Sequence, residues 1–238
     1  MEYAAKFVGR QKLAADVTLF RVEKPEGFQF LAGQYCLLSV PDMGFRDDRG
    51  LRRPFSIASS PLEKDLLFVT KLSGSAMKRS MAEMPPGTTV TLGQPLGALI
   101  LPEEKATPLA FLAGGVGIAP FRSLCRYATD GVTGHTITLF YSTRTPEETP
   151  FLDELQGMPE QNRRLRTVIT MTRVDDPKSW SGLTGRLNAE MIKSGCEAWE
   201  RALYYIAGPP AMADAMKKTL EEMKIPPVQI TIELFAGY

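Results

Sequence analysis

Over residues 3–101 the chain runs in short β-like segments broken by Gly, Pro and Asp: KFVGR, VTLFRVE, QYCLLSV, FSIAS, LLFVTKL and TVTLG. Six such runs with turn residues between them predict an antiparallel sheet closed into a small barrel. One stretch departs from this pattern. In SAMKRSMAEM, Met77, Met81 and Met84 recur at helical spacing behind Ser75, a natural N-cap, and Pro85-Pro86-Gly87 ends the run. After Pro102 strands and amphipathic helices alternate: LAFLA with PFRSLCRYA, ITLFYS with FLDELQGM, RTVITMT with LNAEMIKSG, and LYYIAG with PAMADAMKKTLEEM. With a last strand near residues 228–234, this predicts a parallel sheet covered on both faces. The charged stretch PEEKATP between the halves reads as a linker, which divides the chain into domains 1–101 and 108–238.

The sharpest local feature is LAFLAGGVGIAP, an apolar strand running into Gly114, Gly115 and Gly117 and then a helix with Pro120 in its first turn. Glycines let a backbone turn tightly and approach a ligand, and a helix N-terminus offers unpaired N–H groups to a phosphate. That combination suits a dinucleotide pyrophosphate, although a tight strand–helix turn needs the same residues. The second strand ends Tyr141-Ser142-Thr143-Arg144, with an arginine where an acid would hold a free ribose hydroxyl. Arginine suits a ribose phosphate better, which favours NADP(H) over NAD(H). A second turn, Ala207-Gly208-Pro209-Pro210, precedes a helix whose Met212, Met216, Leu220 and Met223 form one apolar face.

Composition removes several other chemistries. The 238 residues carry 28 Lys+Arg against 27 Asp+Glu, a net charge of +1 that argues against nucleic-acid binding. Cys36, Cys125 and Cys196 lie far apart with no CxxC, so neither a zinc cage nor a cysteine-ligated iron–sulfur cluster is expected, and no metal site is assigned. His135 is the sole histidine and reads as structural, which leaves no set for a Ser-His-Asp triad. The start of the chain has no secretory pattern and no apolar run reaches the length of a membrane span, so a cytoplasmic location is the default expectation. Such a chain borrows its chemistry from a cofactor.

Three strings in this order resemble the ferredoxin–NADP reductase superfamily: Arg53-Pro54-Phe55-Ser56 its R-x-Y-S flavin motif, GGVGIAP its nicotinamide-dinucleotide loop, and AGPPAM its C-G-P-P turn. The resemblance implies a Greek-key FAD-binding β-barrel followed by a Rossmann-like NAD(P)-binding domain. It implies that Arg53 contacts a flavin-side phosphate, that Phe55 lies on the isoalloxazine, and that Ser56 bonds near its N5, with Pro54 between them. Gly74, Ser75, Ala76, Met77 and Lys78 occupy the place where the family turns backbone amides toward the FAD pyrophosphate. For the dinucleotide it implies Gly114, Gly115, Val116, Gly117, Pro120, Ser142, Gly208, Pro209 and Pro210. Arg144, Arg173 and Arg186 are implied as a cationic pocket for a 2′-phosphate. Asp175 and Asp176 oppose that field and keep NADH open.

Near the C-terminus, Glu233 is implied to relay protons or position nicotinamide, and Tyr238 to stack on the flavin. Two departures stand out: Ala207 replaces the family's usual Cys, and Phe55 its commoner Tyr. The implied activity is hydride transfer from NAD(P)H, NADPH favoured, to FAD, then single electrons to ferredoxin or flavodoxin. Arg46, Arg49, Arg52 and Arg53 crowd one stretch where they can steer such an acidic partner. The alternatives are a reductase of free flavin, ferric chelates or quinones, and an electron-entry subunit of a larger oxygenase or dehydrogenase complex.

Overall fold

The computed structural model describes residues 1–174, 176 and 179–234. The first half is a six-stranded antiparallel sheet of β1 (Glu2–Lys12), β2 (Val17–Glu23), β3 (Tyr35–Ser39), β4 (Arg52–Ser56), β5 (Asp65–Lys71) and β6 (Thr89–Gly93), in spatial order β4-β3-β6-β1-β2-β5. Just past β4 the Ala58 N–H donates to the Leu67 carbonyl of β5 at 2.7 Å, so the two edges meet. The interior is aromatic and aliphatic: Phe7, Phe20, Leu38, Phe68 and Leu92 are sealed from solvent. Helix α1 (Ala76–Glu83) covers it with Met77 and Met81, and the Ser75 hydroxyl accepts from the Lys78 N–H at 3.4 Å as its N-cap.

β2 and β5 are buried on both faces. Phe20, Val22, Leu66 and Phe68 point into the barrel, while Val17, Leu19, Leu67 and Val69 pack outward against Val116 and Ala119 of the second half.

That second half is a parallel sheet, in spatial order β10-β9-β8-β7-β11-β12, of β7 (Leu109–Gly114), β8 (Ile137–Thr143), β9 (Leu165–Met171), β10 (Leu183–Thr184), β11 (Leu203–Gly208) and β12 (Ile230–Leu234). Helices α2 (Ile118–Asp130) and α3 (Leu152–Gln161) cover one face, and α4 (Ala189–Gly195) and α5 (Pro210–Glu222) the other. β7 serves two cores by alternation: Leu109, Phe111 and Ala113 face α2, and Ala110 and Leu112 face α5. The chain leaves β7 toward β8 and returns on its other side as β11, so the sheet's switch point lies between the carboxyl ends of β7 and β11.

His135 is buried, with Nε2 2.9 Å from the Pro102 carbonyl and Nδ1 2.8 Å from Thr133 Oγ1, and so ties the inter-sheet connection to β8. All three cysteines are buried thiols, and burial raises the pKa of each. Among the described residues no helix is long and apolar enough to cross a membrane, and no group of three or more His, Cys, Asp or Glu is placed to hold a metal.

Candidate active site

Two cavities open where the halves meet. The first, about 460 Å³, is walled by Arg53, Pro54, Phe55 and Ser56 of β4, by Ser75, Met77 and Lys78 at the start of α1, and by Val116, Ala119, Ile232 and Glu233 of the second half. Strand alternation puts Arg53 and Phe55 on one side of β4. Phe55 also sits edge-on to Phe68 at 6.2 Å, which fixes its ring. Arg53 Nη1 donates to the Arg49 carbonyl and, at 2.7 Å, to the Arg52 carbonyl.

Three polar atoms on this wall are buried with no hydrogen-bond partner among the described residues: Arg53 Nη2, Ser56 Oγ and Glu233 Oε2. Buried polar atoms are normally satisfied, so three such atoms on residues that line one space mark a place suited to a polar guest. A cation, a hydroxyl and a carboxyl beside an aromatic ring match an aromatic heterocycle carrying phosphate, as in FAD. Glu233 is pushed up to about 7 by burial. Lys78 is held below the usual lysine range, chiefly by burial and then by the charges of Arg49 and Lys71.

Not every residue assigned to this site reaches the wall. Gly74 is exposed and off the wall, and Ala76 lies behind it, its N–H donating to Asp47 Oδ2 at 2.7 Å. Asp47 also sits 3.9 Å from Arg53 Nη2, and the Ala76 bond is the main reason its carboxyl titrates below the usual range. Sequence reading assigned Asp47 no part in the site. Tyr35, Arg49, Thr70 and Gly97 are further wall residues that it missed. Tyr238 lies outside the described residues.

The second cavity, about 520 Å³, lies over the switch point and is walled by Gly114, Gly115, Val116, Ser142, Arg144, Arg186 and Pro209, with Val17 and Lys71 contributed by the barrel. Val116 lines both cavities. The three glycines have separate reasons. Gly115 adopts φ +52°, the left-handed region, with open space where a Cβ would stand. Gly114 packs on the second turn, where a Cβ would lie 3.2 Å from Pro209 Cδ. Gly117 presses on the backbone of that turn, where a Cβ would stand 2.6 Å from the Ala207 carbonyl carbon and 2.7 Å from Gly208 Cα. The Tyr141 hydroxyl, missed in the sequence, donates to the Gly115 carbonyl at 3.0 Å and braces the loop.

Arg144 and Arg186 reach the second cavity, but Arg173 does not. Its side chain is exposed and off the wall, and its backbone N–H donates to the Arg144 carbonyl at 2.9 Å. Pro120, Gly208 and Pro210 shape the turns without lining the space. Glu148, missed in the sequence, does line it, 3.5 Å from Arg144 Nη1.

Residues 111–218 match the family described as the oxidoreductase NAD-binding domain. Among curated proteins, the chain is 28% identical over 193 residues to ferredoxin–NADP reductase B of Sorangium cellulosum, covering 79% of this chain and 77% of that protein. It is 24% identical over 243 residues to the reductase component of propane 2-monooxygenase from Gordonia, covering 99% and 68%. Among solved structures, a ferredoxin–NADP+ reductase from Neisseria gonorrhoeae with bound FAD and NADP superposes with a TM-score of 0.79 at 28% identity over 98% of both chains. A cytochrome P450 reductase from Amycolatopsis shares the fold with a TM-score of 0.84 at 23% identity, over 100% of this chain and 71% of that one.

Proposed function

We propose that the chain is a member of the ferredoxin–NADP reductase superfamily, that its first cavity holds FAD and its second the nicotinamide dinucleotide, and that electrons leave to an external redox protein. The observation that carries this reading is the shared wall: Val116 lies on both cavities, and three residues of the first, Arg53, Ser56 and Glu233, each keep a buried polar atom without a hydrogen bond among the described residues. Flavin held there would supply the redox chemistry, which links two-electron hydride transfer to one-electron steps.

The chain's own residues bind, orient and exclude water. Arg53 supplies a guanidinium for phosphate, Phe55 a fixed ring face, and Ser56 a hydroxyl for a ring heteroatom. Gly115 and Pro209 shape the dinucleotide turn. Val116, backed by Val17, Leu19 and Val69, keeps the boundary between the two cavities apolar. Glu233, titrating about 7, holds or yields a proton at Oε2 near neutral pH.

NADPH is the favoured donor because Arg144 and Arg186 share the second cavity. The acceptor is an acidic redox protein such as ferredoxin or flavodoxin, drawn by the arginines flanking the flavin cavity. Of these, Arg46 is largely solvent-facing and paired 3.1 Å from Asp42, and Arg52 pairs with Glu2 at 2.9 Å, so Arg49, on the cavity wall itself, is the arginine best placed to act. The name of the Gordonia relative favours the variant in which that acceptor is an oxygenase component.

The test is anaerobic titration of the FAD-reconstituted protein. Bleaching of flavin absorbance by NADPH at lower concentration than by NADH is expected. Failure to retain FAD would overturn the first assignment, and bleaching by NADH alone the second.

A further inference from the structure

Resting on the assignment of the second cavity to a nicotinamide dinucleotide, we propose that Glu148 sets nucleotide specificity there by opposing a 2′-phosphate at Arg144. Arg144 Nη1 and Glu148 Oε2 stand 3.5 Å apart, and both side chains line the cavity beside Gly115 and Arg186. The arginine side chain is 53% exposed and the glutamate 26%, so the carboxylate is the deeper partner.

Glu148 is fixed in the wall. It ends a 3-10 turn, Pro146–Glu148, whose Glu147 carbonyl accepts the Ala15 N–H of the barrel at 2.9 Å. Its own N–H donates to the Thr145 carbonyl at 3.2 Å, and the Thr149 hydroxyl donates to that same carbonyl at 2.6 Å. Lys71, a second cation on the wall, has its Nζ 2.7 Å from Asp16. Among the described residues, two of the three cations lining the cavity therefore already face a carboxylate.

A ribose 2′-phosphate brings negative charge to a wall that already holds Glu148, whereas a 2′-hydroxyl brings none and can donate to a carboxylate. Glu148 thus narrows the NADPH preference that Arg144 and Arg186 create, and the protein accepts both dinucleotides within about tenfold of each other.

The experiment compares binding of 2′,5′-ADP and 5′-AMP, which differ only in the 2′-phosphate, to the FAD-reconstituted protein by calorimetry at low salt. Glu148→Gln is expected to tighten 2′,5′-ADP about tenfold and to leave 5′-AMP within about twofold. Glu148→Asp keeps the charge and is expected to stay near wild type with both. A purely structural glutamate would shift both probes alike, and that result, or an unmoved ratio, overturns the proposal. If the wild-type protein binds neither probe at millimolar concentration, the dinucleotide assignment fails and takes this proposal with it; an unmoved ratio with both probes bound leaves the assignment standing.

Discussion

Replacing Glu233 with Gln removes a carboxyl whose titration in the folded chain is displaced from 4.5 to about 7 by burial. Its surroundings explain the displacement. Oε2 has no partner among the described residues, and Oε1 is wedged where a Cβ on Gly97 would stand 2.9 Å away. Arg49, Arg53 and Lys78 line the same cavity, yet burial is the cause that dominates. A displacement of about 2.5 units corresponds to roughly 3.4 kcal/mol at about 1.36 kcal/mol per unit. The carboxyl borders an open cavity, so solvent screening reduces this to about 1–2 kcal/mol. In the unfolded chain the group ionises near 4.5, while the folded chain keeps the proton until about 7. Between those values the folded state binds more protons, so stability is lost as pH rises through the window and stays lost above it. Urea denaturation of wild type and Glu233→Gln at steps from pH 4.5 to 8.5 measures this directly. The two should be close at pH 4.5, and the Gln variant more stable by about 1–2 kcal/mol at pH 8. A difference that stays flat across the range would refute the assignment of a high-titrating carboxyl to Glu233.

Arg122→Met should cost about 3–5 kcal/mol in urea unfolding, because it strips a buried guanidinium from Glu63, Glu154 and the Ala58 carbonyl and leaves the carboxylates facing each other. A loss under about 1 kcal/mol would show the cluster to be solvated. Gly117→Ala should destabilise by about 1–3 kcal/mol and weaken dinucleotide binding, since its Cβ meets unyielding backbone of the neighbouring turn. Gly115→Ala, with open space but a left-handed φ, should cost about 1 kcal/mol, and equal losses from the two would contradict their separate roles.

The strands and helices were readable because each is specified locally: alternation along β1, the Ser75 cap of α1, and the unbroken apolar run of β7 that needs cover on two faces. β10 was not, since two residues, Leu183 and Thr184, carry no period. The near-continuous burial of β2 and β5 has a cause that alternation cannot report: their outward residues meet Val116 and Ala119, about a hundred positions from β2 and about fifty from β5. Long-range pairs were hidden for the same reason. Nothing near Asp47 announces that it will accept from Ala76, and nothing near Gly117 that it must clear Ala207. Arg173 is the converse case: a motif suggests a side chain in the pocket, while the fold uses its backbone N–H and leaves the side chain exposed.

What relates the two cavities is helix α2. Its N-terminus continues directly from the glycine turn, and Val116 and Ala119 seat against the outer face of β2 and β5. Less than two turns further along, Arg122 donates to the Ala58 carbonyl at 2.9 Å and the Ser123 hydroxyl to the Ser59 carbonyl at 2.6 Å. Those carbonyls follow Ser56 by two and three residues on the same segment as Arg53 and Phe55. The turn proposed for the dinucleotide and the strand proposed to face the flavin are thereby joined through a rigid span of six or seven helical residues, about 10 Å at about 1.5 Å per residue. Hydride transfer demands that two reacting atoms stand about 3–3.5 Å apart, so a loosening of about 1 Å at either anchor matters. Arg122 and Ser123 touch neither cavity, yet they fix the distance between them. A variant at Arg122 should therefore slow flavin reduction even at saturating dinucleotide and at temperatures where the protein remains fully folded.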